Sequence, residues 1–540
     1  VNWDRTSNLI AVGLVGICFV LALGKVLFRD VAPRTEDGRS GVTIRFAHWQ
    51  LEGNVQDAFD AIAREYEKLH PNVRVIQMRI PERIYPIWLT TQLVGETAPD
   101  LVQIGIGMTT DKLARFFIPL TTEVAKPNPY NAGTPLADVP WQSTFVDGMK
   151  GGNCFSTDLL EYYGIPTTMF TIRIYYNRDL LRQITGSDTP PATYRELKKL
   201  CEKTEAFRTP RGDRITPIAG SKYNAPFIIG RLFSSLTMNL RQEQDILLNG
   251  DPTPEDVALS FLHGRWSLRH PAVTQGYALQ RALGQHMQTG FLQLSREDAT
   301  FRFVQGRALM IASGAWDASS LIGQAPFSVG IIRIPYPTPA DPEFGSLIRG
   351  PETEAATDTG ASFGLARASK NPDVALDFLH FLSSQSSNRL FVEKSNWLPA
   401  VVGVDPAPGM EAFSPLLDGY VGGINFSPSV FPDTARTLNN SLNELLASTG
   451  SVDAYLNRIE PSFRRFLLQD LRLGVEKRIA NIRRFDTPIA TRRLILLQDT
   501  DQDRLRRQYE RMLESQTTQE SQTYWLDYQL KELTAHGQTH

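Results

Sequence analysis

The 540-residue sequence predicts an α/β protein behind a membrane-spanning helix and ahead of a helical extension, on three observations. Strand-like and helix-like stretches alternate over short connections from residue 42 onward, the pattern of a parallel or mixed sheet covered by helices. "LIAVGLVGICFVLALGKVLF" (9–28) is a nearly continuous apolar run of bilayer-spanning length. After Gly450 the chain becomes poor in glycine and rich in Arg, Gln, Glu and Leu, which reads as helix. Hydrophobic residues at 42% and charged residues at 21% are ordinary soluble usage and exclude a multi-span membrane protein or a disordered chain. A net charge of −2 leaves no global nucleic-acid footprint.

In chain order, the 9–28 run comes first. An uncleaved anchor is the expectation, because Ala22-Leu23-Gly24 is only a passable cleavage pattern and Ile17 is not the small residue a lipoprotein site needs before Cys18. Lys25, Arg29 and Arg34 follow the run while Arg5 precedes it, a bias against export of the C-terminal part. Polar "RDVAPRTEDGRSG" (29–41) reads as a tether. "VTIRFAHW" (42–49) alternates like a half-buried strand, and Phe59, Ile62, Ala63, Tyr66 and Leu69 recur at helical spacing until Pro71. Strands follow at 73–80, 99–107, 171–177, 307–314 and 327–335, with a helix at 193–207 and helical stretches through 225–290. Residues 361–384 read as a strand, then Asn371 as helix N-cap with Pro372 at the first helical position. In the last ninety or so residues, Phe463, Phe466, Leu467, Leu471 and Val475 fall on one helix face. A second run (501–533) carries Leu505, Tyr509, Met512, Leu513, Trp525, Leu526 and Leu530. This arm reads either as a hairpin packed on the body or as a partner-binding extension.

Catalytic and cofactor motifs do not surface. There is no G-x-S-x-G elbow, and "GIG" (105–107) lacks the rest of a dinucleotide or P-loop fingerprint. Cys18, Cys154 and Cys201 match no zinc or redox spacing and read as small apolar fillers. His48 and His70 are the nearest catalytic candidates, and His70 at a helix end reads as structural. Asp499, Asp501, Asp503 and Glu510 sit at calcium-loop positions, but Arg504 stands where the sharp turn needs glycine, so an acidic helix start is expected instead. No enzyme, no cofactor and no metal is the resulting expectation.

What stands out is aromatic residues at strand ends: Trp49 after the first strand, Tyr175 and Tyr176 in the second half, and Trp316 in "MIASGAWDASS". Ligands of open α/β sheets bind beyond the carboxyl ends of strands. A flat ring there covers the apolar face of a sugar while Asp, Asn, Gln and Arg groups bond its hydroxyls.

The segments "FAHWQ", "AREYEKLHPNVRV", "LVGETAPDLVQ", "YGIPTTMFTIRIYYNRDLL", "VQGRALMIASGAWD", "FGLARASKNPDVALDFLHFL" and "NWLPAV", in this order over about 42–450, resemble the family 1 extracellular solute-binding proteins of bacterial ABC importers. The resemblance implies a two-lobe periplasmic-binding-protein fold (type II) whose lobes close over a ligand. It implies a carbohydrate ligand, permease subunits with a cytoplasmic ATPase as partners, and an extracytoplasmic location, which outweighs the charge bias. The implied lobes are 42–166 with 330–390 and 167–329 with 391–450, after an anchor and tether (1–41) and before an arm (451–540), with crossings near 165–170, 326–334 and 385–392. The implied ligand-binding residues are His48, Trp49, Gln50, Asp100, Thr168, Tyr176, Trp316 and Asp317. Asp100 also reads as a turn cap, Tyr176-Asn177 as a strand exit and helix cap, and Asp317 as a cap of the next helix. The sequence departs from the family in its anchor, its long 126–160 region and its arm. A sensor or assembly subunit read through the arm is the alternative function, and a hydrolase on the same scaffold ranks third.

Overall fold

A computed structural model describes residues 41–537 apart from 150, 152–153, 157–158, 160, 248–251, 355–358 and 499–501. The expected anchor at 9–28, Cys18, and Asp499 and Asp501 of the calcium-loop lookalike lie outside the described residues. Among the described residues, no helix is long and apolar enough to cross a membrane.

Three sheets organise the body. The first has the order β12-β3-β1-β2. β1 (Val42–His48) pairs in parallel with β2 (Val73–Arg79) and β3 (Leu101–Ile104), and β12 (Ser362–Leu365) closes the edge antiparallel to β3. Helix Gly53–Leu69 crosses from β1 to β2 and buries Val55, Phe59, Ile62, Ala63 and Tyr66 at helical spacing, whereas Leu69 is exposed at its end. Phe46, Phe59 and Phe363 meet edge to face with centroids 5.7–5.8 Å apart at the centre of this core.

The second sheet has the order β10-β7-β9-β8. β7 (Ile172–Asn177) and β9 (Ala308–Gly314) are buried at every residue, which is why they read as apolar runs. β8 (Thr216–Ala219) and β10 (Val329–Ile332) flank them. Cys154 and Cys201 are both free and buried, in the cores of different lobes.

A third, short sheet joins the lobes: β11 (Thr359–Gly360), β6 (Thr168–Met169) and β13 (Leu398–Pro399), in that order, all antiparallel. β6 leads from the first lobe into β7, β11 leads back into β12, and β13 leads out of helix Gln385–Ser395, which packs on helix Gly53–Leu69. The three crossings therefore sit at 165–171, 359–362 and 397–400. The first agrees with the expected position. The second corrects the expectation of 326–334, because Val329–Ile332 pairs residue for residue along β7 and belongs to the second sheet. The third corrects 385–392, which is helix on the first lobe. Residues 330–354 accordingly go with the second lobe, where buried Glu354 pairs with buried Arg173 of β7 at 2.7 Å.

The arm consists of helices Val452–Arg484, Asp486–Gln498 and Asp503–Gly537. The first is rooted in the second lobe: Tyr455 meets the Tyr277 ring at 4.8 Å, Phe463 meets Phe261 and Phe426, and Leu467, Leu471 and Val475 are buried in the same core. Leu526 and Leu530 of the last helix join that core, while Leu513 and Trp525 stay more than a third exposed. At the turn between the helices the arm reaches the first lobe, where Arg484 pairs with Asp111 at 2.7 Å and Arg511 with Glu161 at 3.1 Å.

Candidate ligand site between the two lobes

Where the first and second sheets face each other across the short one, the carboxyl ends of their strands frame a cleft of about 340 Å3. The first lobe contributes Trp49, Gln50 and Glu52 from the exit of β1, Gln103 and Ile104 of β3 with Ile106 beyond it, and Glu82 after β2. From the second lobe come Trp316 after β9, Tyr223 after β8, and Arg296 at the start of helix Arg296–Val304. Phe170 and Gly360–Ser362 of the crossing segments form the floor.

The indole rings are held on opposite lobes. Trp49 leans edge-on against Tyr85 at 4.9 Å, and its backbone N–H donates to the Gln103 amide oxygen at 3.3 Å. Trp316 is half-buried and meets Phe170 at 5.1 Å and Phe227 at 6.0 Å, both edge to face. One face of its six-membered ring lies over Gly314: a Cβ there would stand 2.3 Å from two ring carbons. Gly360 likewise leaves room for the Phe170 ring, 1.8 Å from where its Cβ would be. Gly314→Ala is therefore expected to swing Trp316 out of place. Near-ultraviolet circular dichroism of the indole should change while the far-ultraviolet spectrum stays as in the wild type.

Around the rings the cleft is polar and unevenly satisfied. One carboxylate oxygen of Glu52 is buried without a hydrogen-bond partner, and burial pushes this carboxyl above its ordinary range despite the nearby Arg296. Arg296 lies 5.1 Å over the Tyr223 ring and is ion-paired to Asp317. Burial raises the Tyr223 phenol to about 12, with Arg296 opposing, so it stays a neutral donor and acceptor. Asp317 also accepts from the Ser313 hydroxyl. Its carboxylate does not cap the helix that follows; it orients the arginine that lines the cleft.

The eight sequence-predicted residues separate cleanly. Trp49, Gln50 and Trp316 line the cleft, and Asp317 stands behind Arg296. His48 is fully buried beneath Gln50. Its Nδ1 accepts the Gln50 backbone N–H at 3.1 Å, and Nε2 donates to the Gln77 side-chain oxygen at 3.0 Å. His48 is thus not a cleft residue, and three further expectations are corrected. Asp100 precedes β3 at the end away from the cleft, where its carboxylate accepts the Arg45 backbone N–H (2.8 Å) and the Ser369 hydroxyl (2.6 Å). Thr168 is buried in the joining sheet, its hydroxyl donating to the Leu398 carbonyl at 2.7 Å. Tyr176 is buried in the second-lobe core with its ring over Gly330. The resemblance implied these three at the site, but Asp100 sits at the far end of its strand, Thr168 is taken up by the joining sheet, and Tyr176 points into the core face of β7. Glu52, Glu82, Gln103, Phe170, Tyr223 and Arg296 were missed. They come from six separate stretches of the chain with no local motif, although Glu52 follows the strand-end Trp49 by three residues.

His48, by burial, is held down at about 4, as is His380 against Trp141. Both stay neutral in the fold and take up a proton on unfolding below their ordinary value. Stability is then full above pH 6.5 and falls as pH drops toward 4, by at most about 1.4 kcal/mol per pH unit for each imidazole. Urea unfolding between pH 4 and 7 should show this slope, and His48→Gln should remove about half of the histidine contribution.

The fold agrees with comparisons to known proteins. A model of the bacterial extracellular solute-binding proteins matches residues 61–413, and the chain belongs to that family. It is 22% identical over 381 residues to the maltodextrin-binding protein MdxE of Bacillus subtilis (strain 168), covering 68% of this chain and 75% of that one. Among solved structures it is similar to a chitin oligosaccharide binding protein (TM-score 0.54, 18% identity, 79% of this chain and 100% of the other). It is also similar to the GacH receptor of Streptomyces glaucescens GLA.O (TM-score 0.53, 17% identity, 79% and 99%). At these identities the structures show the shared two-lobe fold. The arm from residue 451 lies beyond the matched family segment.

Proposed function

We propose that the protein is the extracytoplasmic, membrane-anchored substrate-binding component of an ABC importer, taking a carbohydrate between its lobes and presenting it to a permease without transforming it. One observation carries this reading: indole rings from opposite lobes, Trp49 and Trp316, line one cleft together with an unpartnered buried carboxylate oxygen of Glu52. Rings of this kind cover the apolar faces of a pyranose, and Glu52, Gln50, Gln103 and Arg296 supply acceptors and donors for its hydroxyls. The relatives named for maltodextrin and chitin oligosaccharide binding support an oligosaccharide ligand. Closure would swing the lobes about the three crossing segments.

The test is a thermal-shift panel of maltodextrins, chitin oligosaccharides, raffinose and xylo-oligosaccharides against residues 42–540. The arm stays in because its first helix completes the core of the second lobe. A ligand at a hundred times its Kd stabilises by about 2.7 kcal/mol, a readily measured rise in Tm. Silence across the whole panel would remove the carbohydrate assignment.

A further inference from the structure

A second cavity, bordered by the arm, lies outside the cleft. About 580 Å3 in volume, it lies between the first lobe and the turn of the arm and is open to solvent on one side. Arg115 and Arg367 line it from the lobe, and Arg484 and Arg492 from the arm. Among the described residues, two carboxylates line it, and both are engaged: Asp111 with Arg484 at 2.7 Å, and Glu161 with Arg511 at 3.1 Å and with the Thr121 hydroxyl. Arg115, Arg367 and Arg492 have no ion pair among the described residues. Arg367 uses its nitrogens on the carbonyls of Ala114, Arg115 and Phe117 at the end of helix Thr110–Phe116, and Arg115 lies over the Phe116 ring at 5.0 Å. The Nε of Arg492 is buried without a hydrogen-bond partner. Its burial, with the charge of Arg367 nearby, pushes this guanidinium below its ordinary range, with Glu161 and Tyr163 opposing. Arg115 and Arg367 are exposed, and Arg492 is half-buried with one N–H unsatisfied; an oxyanion reaching that N–H would satisfy it and offset the repulsion among the three guanidinium groups.

We propose that this cavity is a second ligand site, for a small anion bearing a carboxylate or phosphate group that bridges Arg492 of the arm and Arg115 of the first lobe. Planar guanidinium groups bind such oxyanions with charge-assisted hydrogen bonds, and Ile118, Leu159 and Phe485 offer apolar contact to the rest of the molecule. Since the arm is rooted in the second lobe, an anion held here braces its turn against the first.

Isothermal titration of the full chain with sodium phosphate and, separately, with citrate, at ionic strength held constant with sodium chloride, tests the assignment. Saturable one-to-one binding of at least one probe is expected, and which probe binds tells phosphate from carboxylate chemistry. Arg492→Gln should weaken binding by about tenfold or more, and so should Arg115→Gln, whose exposed side chain makes no hydrogen bond among the described residues. Hydrogen exchange in Asp486–Gln498 should slow on binding in the wild type. No saturable binding of either probe, or saturable binding that both variants leave unchanged, would overturn the proposal.

Discussion

Trp316→Ala is expected to weaken ligand binding by roughly 30- to 150-fold, or about 2–3 kcal/mol, the loss typical of a truncated aromatic anchor. The indole meets Phe170 and Phe227 only through edge-to-face contacts and is half-buried, so the unliganded fold has little to lose. The Tm without ligand should drop by only a few degrees, while the ligand-induced rise disappears. Calorimetric titration with the best saccharide of the panel measures the first effect and a melting curve the second. A variant that no longer folds would make Trp316 a core residue rather than a platform. Trp49→Ala should act in the same direction, since its ring faces the cleft from the other lobe and rests on Tyr85.

Arg173→Ala is expected to cost about 3–5 kcal/mol of stability, because it strands the Glu354 carboxylate in the interior. Both side chains are nearly inaccessible and two hydrogen bonds join them, at 2.7 and 3.1 Å. Arg173 also donates to the carbonyls of Ala412, Phe413 and Ser414, and Glu354 accepts the Leu416 backbone N–H at 2.8 Å. The pair thus fastens to β7 the chain just before the second crossing and the loop after the third. Thermal unfolding should show a Tm lower by on the order of ten degrees. The double variant Arg173→Met with Glu354→Leu should recover a large part of the loss, since replacing both charges leaves neither uncompensated. A double variant as unstable as the single one would instead place the effect in the lost carbonyl contacts.

Much of this architecture was legible in the sequence because it is written in local period. The alternation in 42–48, the helical spacing of Phe59, Ile62 and Tyr66, and the fully apolar runs of β7 and β9 each name their element without tertiary information. The joining sheet was not legible. Its strands are two residues long, too short to carry a period, so the second and third crossings were misplaced onto β10 and onto helix Gln385–Ser395. Asn371 illustrates a smaller limit. It occupies the N-cap position before Pro372, yet its side chain makes no capping bond, and the Ser369 hydroxyl instead accepts its backbone N–H.

At the site, sequence position found the residues that end strands and missed those that approach from elsewhere. Trp49 and Trp316 follow directly from β1 and β9. Arg296 begins a helix and is held in the cleft by its ion pair with Asp317, twenty-one residues along the chain, and by the Tyr223 ring. Asp317 itself was read as a ligand or a cap, and its place behind Arg296 depends on a fold-level contact that no spacing encodes.

The central claim is that a carbohydrate is held between the lobes against Trp49 and Trp316. A crystal structure of the protein with the saccharide that raises Tm most tests it directly. The expected result is a sugar ring stacked on Trp316, with its hydroxyls bonded to Glu52 and Arg296 and the lobes closed about the three crossing segments. A saccharide bound outside the cleft, or a cleft left empty at saturating ligand, would contradict it.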